Sequence, residues 1–478
     1  MPKLDIERNA ELKVSLVVCN DSQGVELRGS LLRLTRYLAV FEVYNPALVL
    51  RLSEVLSDFK IIINDRAIYA GRAVLSSLIN AGTVAVCEVK LDEEGFSITS
   101  FSPWNGQSDM RAGFDDFLQQ WQSVYRVLPE FKVVVADMQT FLLDLRLWLE
   151  QVELEIRSAP AGDRVEMEGD AVRELGDSFV SAFDAMHERL ESISEGIETE
   201  LRPVHQNFSK RQLHPLVMCS PFAYRTYHKP LGYAGDYEMV DMIMRDPCEG
   251  GSLFAKVVNL WFLSQWPAKA HRNRIKYLRE CLRQESLKGA RRGRPIRVLN
   301  LGCGPAREIQ EFLAEDPLCE YAQFTLLDFN EETIQHASRT LDEVKKRFGR
   351  RTLLQVQRKS VHQVLKEGAK AVVAPHSAYD LIYCAGLFDY LPDRTCKQLM
   401  NIFYDWLTPG GLVAATNVDS CRPFRHMLEF VLDWHLIYRD ARKSATLLPD
   451  AAGPELGRIR TDFTGVNVII EARKAEHA

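Results

Sequence analysis

The sequence predicts an α/β protein whose C-terminal part is a mostly parallel sheet that finishes with an antiparallel hairpin. Two observations place this sheet: an apolar run that ends in two glycines at 297–304, and a second apolar run closed by Asp328. A third is that short β-rich runs before residue 110 give way to helical spacing. The 478 residues, 46% of them hydrophobic, suffice for two or three cores. We expect four units: a β-barrel at 1–110, a helical linker or interaction region at 111–200, a helical lid at 201–290 and the sheet domain at 291–478.

The first unit is predicted to be a small β-barrel. Turn signals such as Asn64-Asp65 and Asn80-Ala81-Gly82 separate its apolar runs. These runs are residues 31–43, 60–63, 67–75 and 83–90. Short strands divided by turns are typical of a barrel.

The same stretch resembles PilZ domains, which bind cyclic di-GMP through arginines on a leading segment and through an Asp/Asn-x-Ser-x-x-Gly strand. The arginines are present as Arg28, Arg33 and Arg36. The strand motif is not reproduced by Ser76, Ser77 and Gly82. That departure puts cyclic di-GMP binding in doubt, and we expect a structural barrel or one that forms a homodimer.

Helical spacing dominates between residues 113 and 200. Apolar residues recur three and four apart, and the run at 131–157 repeats the spacing with charges between, as an amphipathic helix does. The first set is Phe114, Phe117, Leu118, Trp121, Val124 and Tyr125. Such stripes are usually core, with a partner interface as the alternative, so we assign them no chemistry.

The glycine-containing turn at 302–304 carries the functional signal. Gly302 and Gly304 allow backbone to approach a ligand, and Asp328 closes the next strand, where it can accept hydrogen bonds from both ribose hydroxyls. This spacing predicts a bound adenosine. A dinucleotide site would need a third glycine where Arg307 stands, so a dinucleotide is disfavoured.

The string LNLGCGPAREIQEFL, residues 299–313, resembles the first motif of class I methyltransferases. The later segments keep that family's order: 325–328, 355–361, 379–390, 407–418 and a hairpin at 458–461 and 466–472. Of these, 407–418 is expected to hold a helix end, a Pro-Gly-Gly turn and the fifth strand. The resemblance implies a Rossmann-like methyltransferase sheet with S-adenosylmethionine (SAM) as methyl donor.

The same resemblance implies a set of cofactor-binding residues. Backbone approach is expected at Gly302, Cys303 and Gly304, and the ribose at Asp328 beside Phe329. The adenine edge is expected at Ser360 and Val361, and the loop beneath the sulfonium at Cys384, Ala385 and Gly386. The methionine carboxylate is assigned to Arg274, with Arg272 and Arg307 as competitors.

A second distinctive stretch, SPFAYRTYHKPLGYAGDYE at 220–238, crowds polar and aromatic side chains around two glycines. Polar loops of this kind are commonly functional, so we expect a lid over both ligands, with a hydrogen-bonded connector as the alternative. HKPLGYAGDYEM (228–239), His214-Pro215, AHRNRIKYL (270–278) and EFVLDWHLIYRD (429–440) resemble the bacterial 3-hydroxypalmitic acid methyl ester biosynthesis family. That resemblance implies a methyltransferase that makes fatty-acid methyl esters used as cell-density signals.

A carboxylate acceptor is already ionised at neutral pH, because its reference pKa is about 4 to 5, so it needs no general base. Histidines would then orient it and exclude water, whereas a hydroxyl or amine acceptor would use them as bases. Our catalytic candidates are His228, Tyr224, Tyr233 and His435. Other candidates are His205, His214 and Tyr438, with Phe388, Trp434, Leu436 and Ile437 as walls for an acyl chain.

Composition argues against several other classes. The net charge of −6 opposes nucleic acid as the main partner, and the loop CAGLFDYL lacks the Asn/Asp-Pro-Pro motif of many base methylases. Ten cysteines without a CxxC pair suggest neither a metal site nor a disulfide framework. With no apolar run of membrane-spanning length and no signal peptide, we expect a soluble, cytoplasmic protein acting on a small molecule.

Two alternatives to the ester-forming enzyme stay open. One is a regulatory protein whose methyltransferase domain binds SAM without turnover. The other is an O- or N-methyltransferase of another small molecule, in which Asp389 could serve as a base; its structural alternative is a helix cap.

Overall fold

The structure, a computed structural model, describes residues 15–22, 24, 26–35, 37–43, 50–63, 66–80, 85–92, 95–96, 111, 114–115, 118, 126–370, 379–419, 423–453 and 455–476. Arg36, Gly82 and four of the apolar residues with helical spacing (Phe117, Trp121, Val124 and Tyr125) lie outside the described residues. Within the described ranges the chain forms a closed barrel, then a group of helices, then a seven-stranded sheet, which confirms the predicted fold class.

The barrel is antiparallel and closes in the order β1-β2-β3-β6-β5-β4. Its strands are β1 Ser15–Asn20, β2 Glu26–Leu34, β3 Leu38–Val43, β4 Val55–Ile63, β5 Arg66–Asn80 and β6 Ala85–Leu91. The run predicted at 31–43 is two strands, because the Thr35 hydroxyl accepts a hydrogen bond from the Leu38 amide (3.1 Å) and turns the chain. Along β6 every second residue is buried, as expected for a strand with one face on a core.

Seven helices with defined bounds follow before the sheet. They are α1 Pro129–Ser158, α2 Arg164–Glu195, α3 Arg202–Val217, α4 Pro221–His228, α5 Tyr237–Met244, α6 Leu253–Ser264 and α7 Trp266–Arg291. The helical spacing predicted at 131–157 corresponds to α1. Helices α1 and α2 pack together through Phe141 and Phe179, whose stacked rings lie 6.1 Å apart. Between α4 and α5 the chain turns at 229–236, so the polar stretch at 220–238 is a helix, a turn and the start of a second helix.

The sheet has the strand order β12-β13-β11-β10-β7-β8-β9. Its strands are β7 Ile296–Leu301, β8 Ala322–Asp328, β9 Leu353–Arg358, β10 Tyr379–Cys384, β11 Leu407–Val418, β12 Gly457–Thr461 and β13 Asn467–Arg473. Strands β7 to β11 are parallel, and β12 and β13 form the antiparallel hairpin. Strand β11 occupies all of 407–418, so the helix end expected there was wrong: the preceding helix ends at Trp406.

The helices of the sheet domain are α8 Arg307–Glu315, α9 Glu331–Phe348, α10 Val361–Lys370, α11 Asp393–Trp406 and α12 Ala441–Ala445. Short turns of other types lie at Thr199–Leu201, Pro317–Tyr321, Phe388–Tyr390 and Met427–Val431. The topological switch point of the sheet lies between β7 and β10, because the strand order runs outwards in opposite directions from there. Open α/β sheets bind ligands at such a point. Across the described ranges, none of the helices combines the length and apolar character needed to cross a bilayer.

Candidate active site

The loop after β7 presents backbone to open space at the switch point of the sheet. Gly302 and Gly304 have φ angles of 72° and 53°, which glycine adopts without strain. The Gly302 and Cys303 amides donate to the Leu327 carbonyl (2.8 and 3.1 Å), which fixes the loop on β8. A Cβ added at Gly304 would meet nothing within 4 Å. The main chain at Gly304 is therefore open to a ligand.

Asp328 ends β8 beside this loop and is only 6% exposed. Its Oδ2 accepts from the Gly304 amide (3.2 Å) and its Oδ1 from the Asn330 amide (3.1 Å). Burial raises the pKa of Asp328, and the Asn330 amide and the Arg51 charge oppose that rise only in part. A carboxylate has about four acceptor sites, so Asp328 retains capacity for two hydroxyl donors.

A cavity of about 70 Å³ opens above Asp328, and we call it the smaller cavity. The predicted residues on its wall are Gly302, Gly304, Asp328, Phe329, Val361, Ala385, Gly386 and Tyr233. Two further lining residues, Arg51 and Leu52, come from the barrel. A carboxylate, an aromatic ring and an apolar residue around one space fit the ribose and adenine of SAM.

The larger cavity, about 150 Å³, adjoins the smaller one. Both cavities are lined by Gly235, Gly302, Gly304, Ala385, Gly386 and Tyr390. Most other side chains around the larger cavity are apolar and come from α4–α7 and from 418–436. Among them are Phe222, Met239, Ile243, Phe262, Phe424, Leu428, Trp434 and Leu436. An apolar acceptor would find a matching wall here.

Arg274 and His271 supply the larger cavity with hydrogen-bond donors. The Arg274 guanidinium packs on Gly386, where an added Cβ would lie 3.0 Å from two of its nitrogens. Arg274 Nη2 donates to His271 Nδ1 (2.8 Å), because a guanidinium can only donate. Burial, with the charges of Arg274 and Arg272, holds the pKa of His271 well below its usual range. His271 is therefore neutral near pH 7, with its hydrogen on Nε2.

Two buried carboxyl groups also line the larger cavity. Glu308 Oε1 accepts from the Tyr383 hydroxyl (2.7 Å) and the Asn300 amide (3.2 Å). Asp389 Oδ1 accepts from the Val418 amide (2.6 Å) and so ties the turn at Phe388–Tyr390 to β11. Burial raises the pKa of both groups. The N-cap of the helix that follows is Pro392, so Asp389 is not the helix cap named as its structural alternative.

The three arginine candidates have different surroundings. Arg272 donates to the Ile243 and Leu263 carbonyls (3.0 and 2.9 Å) and does not line either cavity. Arg307 lines the larger cavity, with its Nε 3.7 Å from Asp241. Arg274 lies against the loop after β10.

Two predicted cofactor residues, Cys384 and Ser360, line neither cavity, in contrast to Cys303. Cys384 is fully buried beneath the loop that Ala385 and Gly386 form. The Ser360 amide donates to Gln363 Oε1 (2.8 Å) at the start of α10. Cys303 lines the larger cavity.

The structure does not bring the four predicted catalytic residues together. Tyr224 and His228 are exposed on α4, with stacked rings 4.0 Å apart, and neither lines a cavity. His435 is buried and does not line a cavity either; its backbone exchanges hydrogen bonds with the Ser53 hydroxyl. Tyr233 lines the smaller cavity, with its hydroxyl 3.2 Å from Thr333 Oγ1.

The other acceptor-side candidates divide similarly. Trp434 and Leu436 line the larger cavity, whereas Phe388 and Ile437 do not. His205 accepts from the Leu128 amide (3.0 Å), and His214 donates to the Val431 carbonyl (2.8 Å). Both histidines thus satisfy backbone groups. For Tyr438, the guanidinium of Arg425 lies 4.6 Å from the ring centroid.

Sequence reasoning missed many lining residues, among them His271, Glu308, Arg51 and Leu52. His271 and Arg274 lie three apart on α7 and share a face, which is a usable signal just before the first strand of the sheet. Glu308 falls in the first turn of α8. Arg51 and Leu52 carry no local signal, because more than 200 residues separate them from the glycine loop.

Residues 299–413 match the family model described as a methyltransferase domain. The fold and this match define the protein as a SAM-dependent methyltransferase, with SAM as the methyl donor. A comparison with curated proteins gives no match.

Solved structures similar to parts of the chain include a possible exported protein from Bordetella parapertussis (17% identity, TM-score 0.42, covering 63% of this chain and 97% of that one). Magnesium protoporphyrin IX methyltransferase from Synechocystis with bound SAH, S-adenosylhomocysteine, is 10% identical (TM-score 0.30, covering 44% and 84%). The N-methyltransferase NodS from Bradyrhizobium japonicum with bound SAH is 16% identical (TM-score 0.30, covering 52% and 98%).

Proposed function

We propose that this enzyme methylates the carboxylate of a hydroxylated fatty acid, or of a similar small carboxylate, to give a methyl ester. The observation that carries the proposal is the larger cavity, whose wall is mostly apolar and which joins the smaller cavity at Gly302 and Gly386. The resemblance to the 3-hydroxypalmitic acid methyl ester family supports the same acceptor. The product would then be a cell-density signal.

In this proposal the smaller cavity holds the adenosyl group. Asp328 accepts hydrogen bonds from the ribose hydroxyls, while Phe329 and Val361 flank the adenine. Arg274 pairs with the methionine carboxylate from its position on Gly386. The methionine end then lies at the boundary of the two cavities.

SAM supplies a methyl group on a cationic sulfur, which a carboxylate oxygen attacks as the sulfur–carbon bond breaks. The acceptor is ionised at neutral pH, so the protein has no proton to remove. His271 suits this reaction, because its Nδ1 is occupied by Arg274 and its Nε2 carries a hydrogen. It would orient the carboxylate as a donor.

The turn at 229–236 would exclude water from the reacting groups. Gly235 has a φ of 77°, and a Cβ there would lie 2.8 Å from the Tyr390 hydroxyl. The turn therefore packs directly on the wall shared by the two cavities. Water exclusion strengthens the electrostatic interactions that hold the acceptor.

A 3-hydroxy fatty acid offers two acceptor oxygens, and this permits a sharp test. The enzyme is incubated with methyl-labelled SAM and 3-hydroxy acids of several chain lengths, and the products are read by mass spectrometry. We expect a labelled ester that alkali cleaves. We also expect no proton release, because an anionic carboxylate and a cationic sulfonium give a neutral ester and a neutral thioether. The matched control is the preformed methyl ester of the same acid, which should take up no label.

Asp389 favours a second candidate, methylation of a hydroxyl or amine. Its carboxyl group lines the larger cavity, and burial raises its pKa, so it could accept a proton. This chemistry predicts an alkali-resistant product and one proton released per turnover. That result would replace the carboxylate proposal, and retention of SAH without any methylated product would favour a sensor.

A further inference from the structure

A segment of the barrel, residues 50–55, reaches the cofactor side of the sheet domain. We call this segment the barrel tip. The Leu52 amide donates to the Tyr390 carbonyl (3.4 Å), and the Val55 amide donates to the Gly232 carbonyl (2.6 Å). The Ser53 hydroxyl donates to the His435 carbonyl (2.9 Å). The barrel tip is thus attached to three separate segments of the later chain.

The barrel tip also has a fixed internal conformation. The buried Glu54 carboxylate accepts from the amides of Arg51 (2.9 Å) and Ser22 (2.7 Å). Ser53 adopts a φ of 61°, and its amide donates to the Leu75 carbonyl (2.8 Å). These bonds hold the backbone of Arg51 in one place, as a binding residue requires.

The side chain of Arg51 points to the smaller cavity. It is 5% exposed, and its guanidinium carbon lies 3.8 Å from the centroid of the Phe329 ring, next to Asp328. Among the described residues, none forms an ion pair or a side-chain hydrogen bond with the Arg51 guanidinium. A buried guanidinium carries five donors, and leaving them without acceptors is costly.

We propose that Arg51 is a cofactor-binding residue contributed by the barrel, and that its guanidinium donates to acceptor atoms of the adenosyl group. Asp328 accepts from ribose hydroxyls, whereas ring nitrogens and hydroxyl oxygens need donors, so Arg51 and Asp328 are complementary. This inference rests on the cofactor site proposed above. The SAM site is then formed by both the barrel and the sheet domain. Cofactor affinity therefore depends on how firmly the barrel tip is docked on its partners, and cofactor binding stabilises that docking in return.

The first experiment compares Arg51→Ala and Arg51→Lys in the full chain, with SAH affinity measured by calorimetry. We expect SAH to bind about 10- to 100-fold more weakly to Arg51→Ala, the loss of a charge-assisted hydrogen bond. Arg51→Lys keeps the positive charge but lacks the planar guanidinium group, so its SAH affinity should lie between those of the wild type and Arg51→Ala. Arg28→Ala is the matched control, because Arg28 is an exposed barrel arginine paired with Glu26; its affinity should equal that of the wild type.

Wild-type affinity in both Arg51 variants would overturn the inference, as would failure of the wild type to bind SAH. If Arg51→Ala does not fold, the Lys variant decides alone. The test is separate from the acceptor assay. A chain that needs Arg51 for SAH but forms no ester contradicts only the proposed acceptor, and an ester-forming chain indifferent to Arg51 contradicts only this inference.

The second experiment tests the coupling by hydrogen exchange. SAH should slow exchange of the Leu52, Ser53 and Val55 amides in the wild type, because it holds the barrel tip on its partners. In Arg51→Ala at saturating SAH, this protection should be lost. Unchanged exchange in the wild type, or equal protection in the variant, would contradict the coupling.

Discussion

Asp328 and Asp433 are both buried carboxylates, yet their surroundings are opposite. Asp328 accepts only backbone donors among the hydrogen bonds described above, and burial raises its pKa. Burial acts in the same direction on Asp433, but four cations outweigh it and hold its pKa far below the usual range. A carboxylate surrounded by cations fixes a structure, whereas one held by a few amides keeps acceptor capacity for a ligand.

The cations around Asp433 come from different parts of the chain. Lys210 of α3 lies 3.2 Å away, Arg72 of β5 3.5 Å and Lys90 of β6 4.0 Å. The fourth is Lys229 in the turn after α4. Asp433 precedes Trp434, which lines the larger cavity, so this cluster joins the barrel, the helices and the wall of the larger cavity.

The largest expected effect is that of Asp433→Asn. Asparagine tolerates the positive φ of this residue (48°), so the change isolates the charge. Removing one partner of a buried ion pair costs about 3–5 kcal/mol, and we expect that loss in the free energy of unfolding measured with urea. Asp137→Asn, which breaks an exposed pair with Arg189, should cost less than about 1 kcal/mol. Similar losses in the two variants would remove the contrast between Asp433 and Asp328.

The second prediction concerns pH and His214, which packs near the same cluster. Burial lowers the pKa of His214 from 6.5 to about 4. The unfolded chain therefore binds this proton first, and the free energy of unfolding should fall as the pH drops from about 6.5 to about 4, by at most about 3.4 kcal/mol. His214→Gln, which keeps a donor for the Val431 carbonyl, should reduce this slope. The exposed His228→Gln is the control, and an unchanged slope in His214→Gln would contradict the assignment.

The third prediction is the counterpart of the first. Asp328→Asn should weaken SAH binding by about 1.5–3 kcal/mol, roughly 10- to 100-fold, because charge-assisted hydrogen bonds to the ribose are lost. Because Asp328 is buried with a raised pKa, its loss should leave the free energy of unfolding unchanged or slightly increased. Calorimetry and urea unfolding of the same sample measure both. A large loss of stability at unchanged affinity would place Asp328 with Asp433 as a structural residue.

The smallest expected effect is that of Tyr233→Phe. The ring should stay against Phe329 (centroids 4.9 Å apart), and only the hydroxyl contact with Thr333 is removed. One neutral hydrogen bond contributes about 0.5–1.5 kcal/mol, and this one forms with and without SAH, so SAH affinity should fall by about twofold or less. Fluorescence titration against the wild type measures this change. A loss comparable to that of Asp328→Asn would instead indicate that the hydroxyl touches the cofactor.

That Gly302, Gly304 and Asp328 lie together around the smaller cavity was predictable, because the sequence signals for it are local. The strand, the two glycines and Asp328 lie within 35 residues, and a parallel strand–helix–strand unit brings them together without help from distant segments. Strand β1 and the division of residues 31–43 into two strands were not predicted. The ends of short barrel strands depend on turns held by side-chain hydrogen bonds, such as that of Thr35.

The lining of the larger cavity was not predictable in the same way. Tyr224 and His228 are four apart on α4 and share one face, but the buried face carries Phe222, Ala223 and Thr226. A polar cluster on a short helix does not reveal which face the rest of the chain covers. The side chains that line the larger cavity are ordinary apolar residues from α4–α7 and 418–436, and only tertiary packing distinguishes them from core.

The hydrogen bonds between Ser53 and His435 join residues 382 positions apart. A ribosome adding about 5–20 residues per second takes about 20–75 s to cover that span. Of the three partners of the barrel tip, Gly232 is made first and Tyr390 and His435 much later, so for most of this interval the tip lacks two partners and the smaller cavity lacks Tyr390. Competence to take up SAM would therefore come only after residues 390–435 have left the exit tunnel.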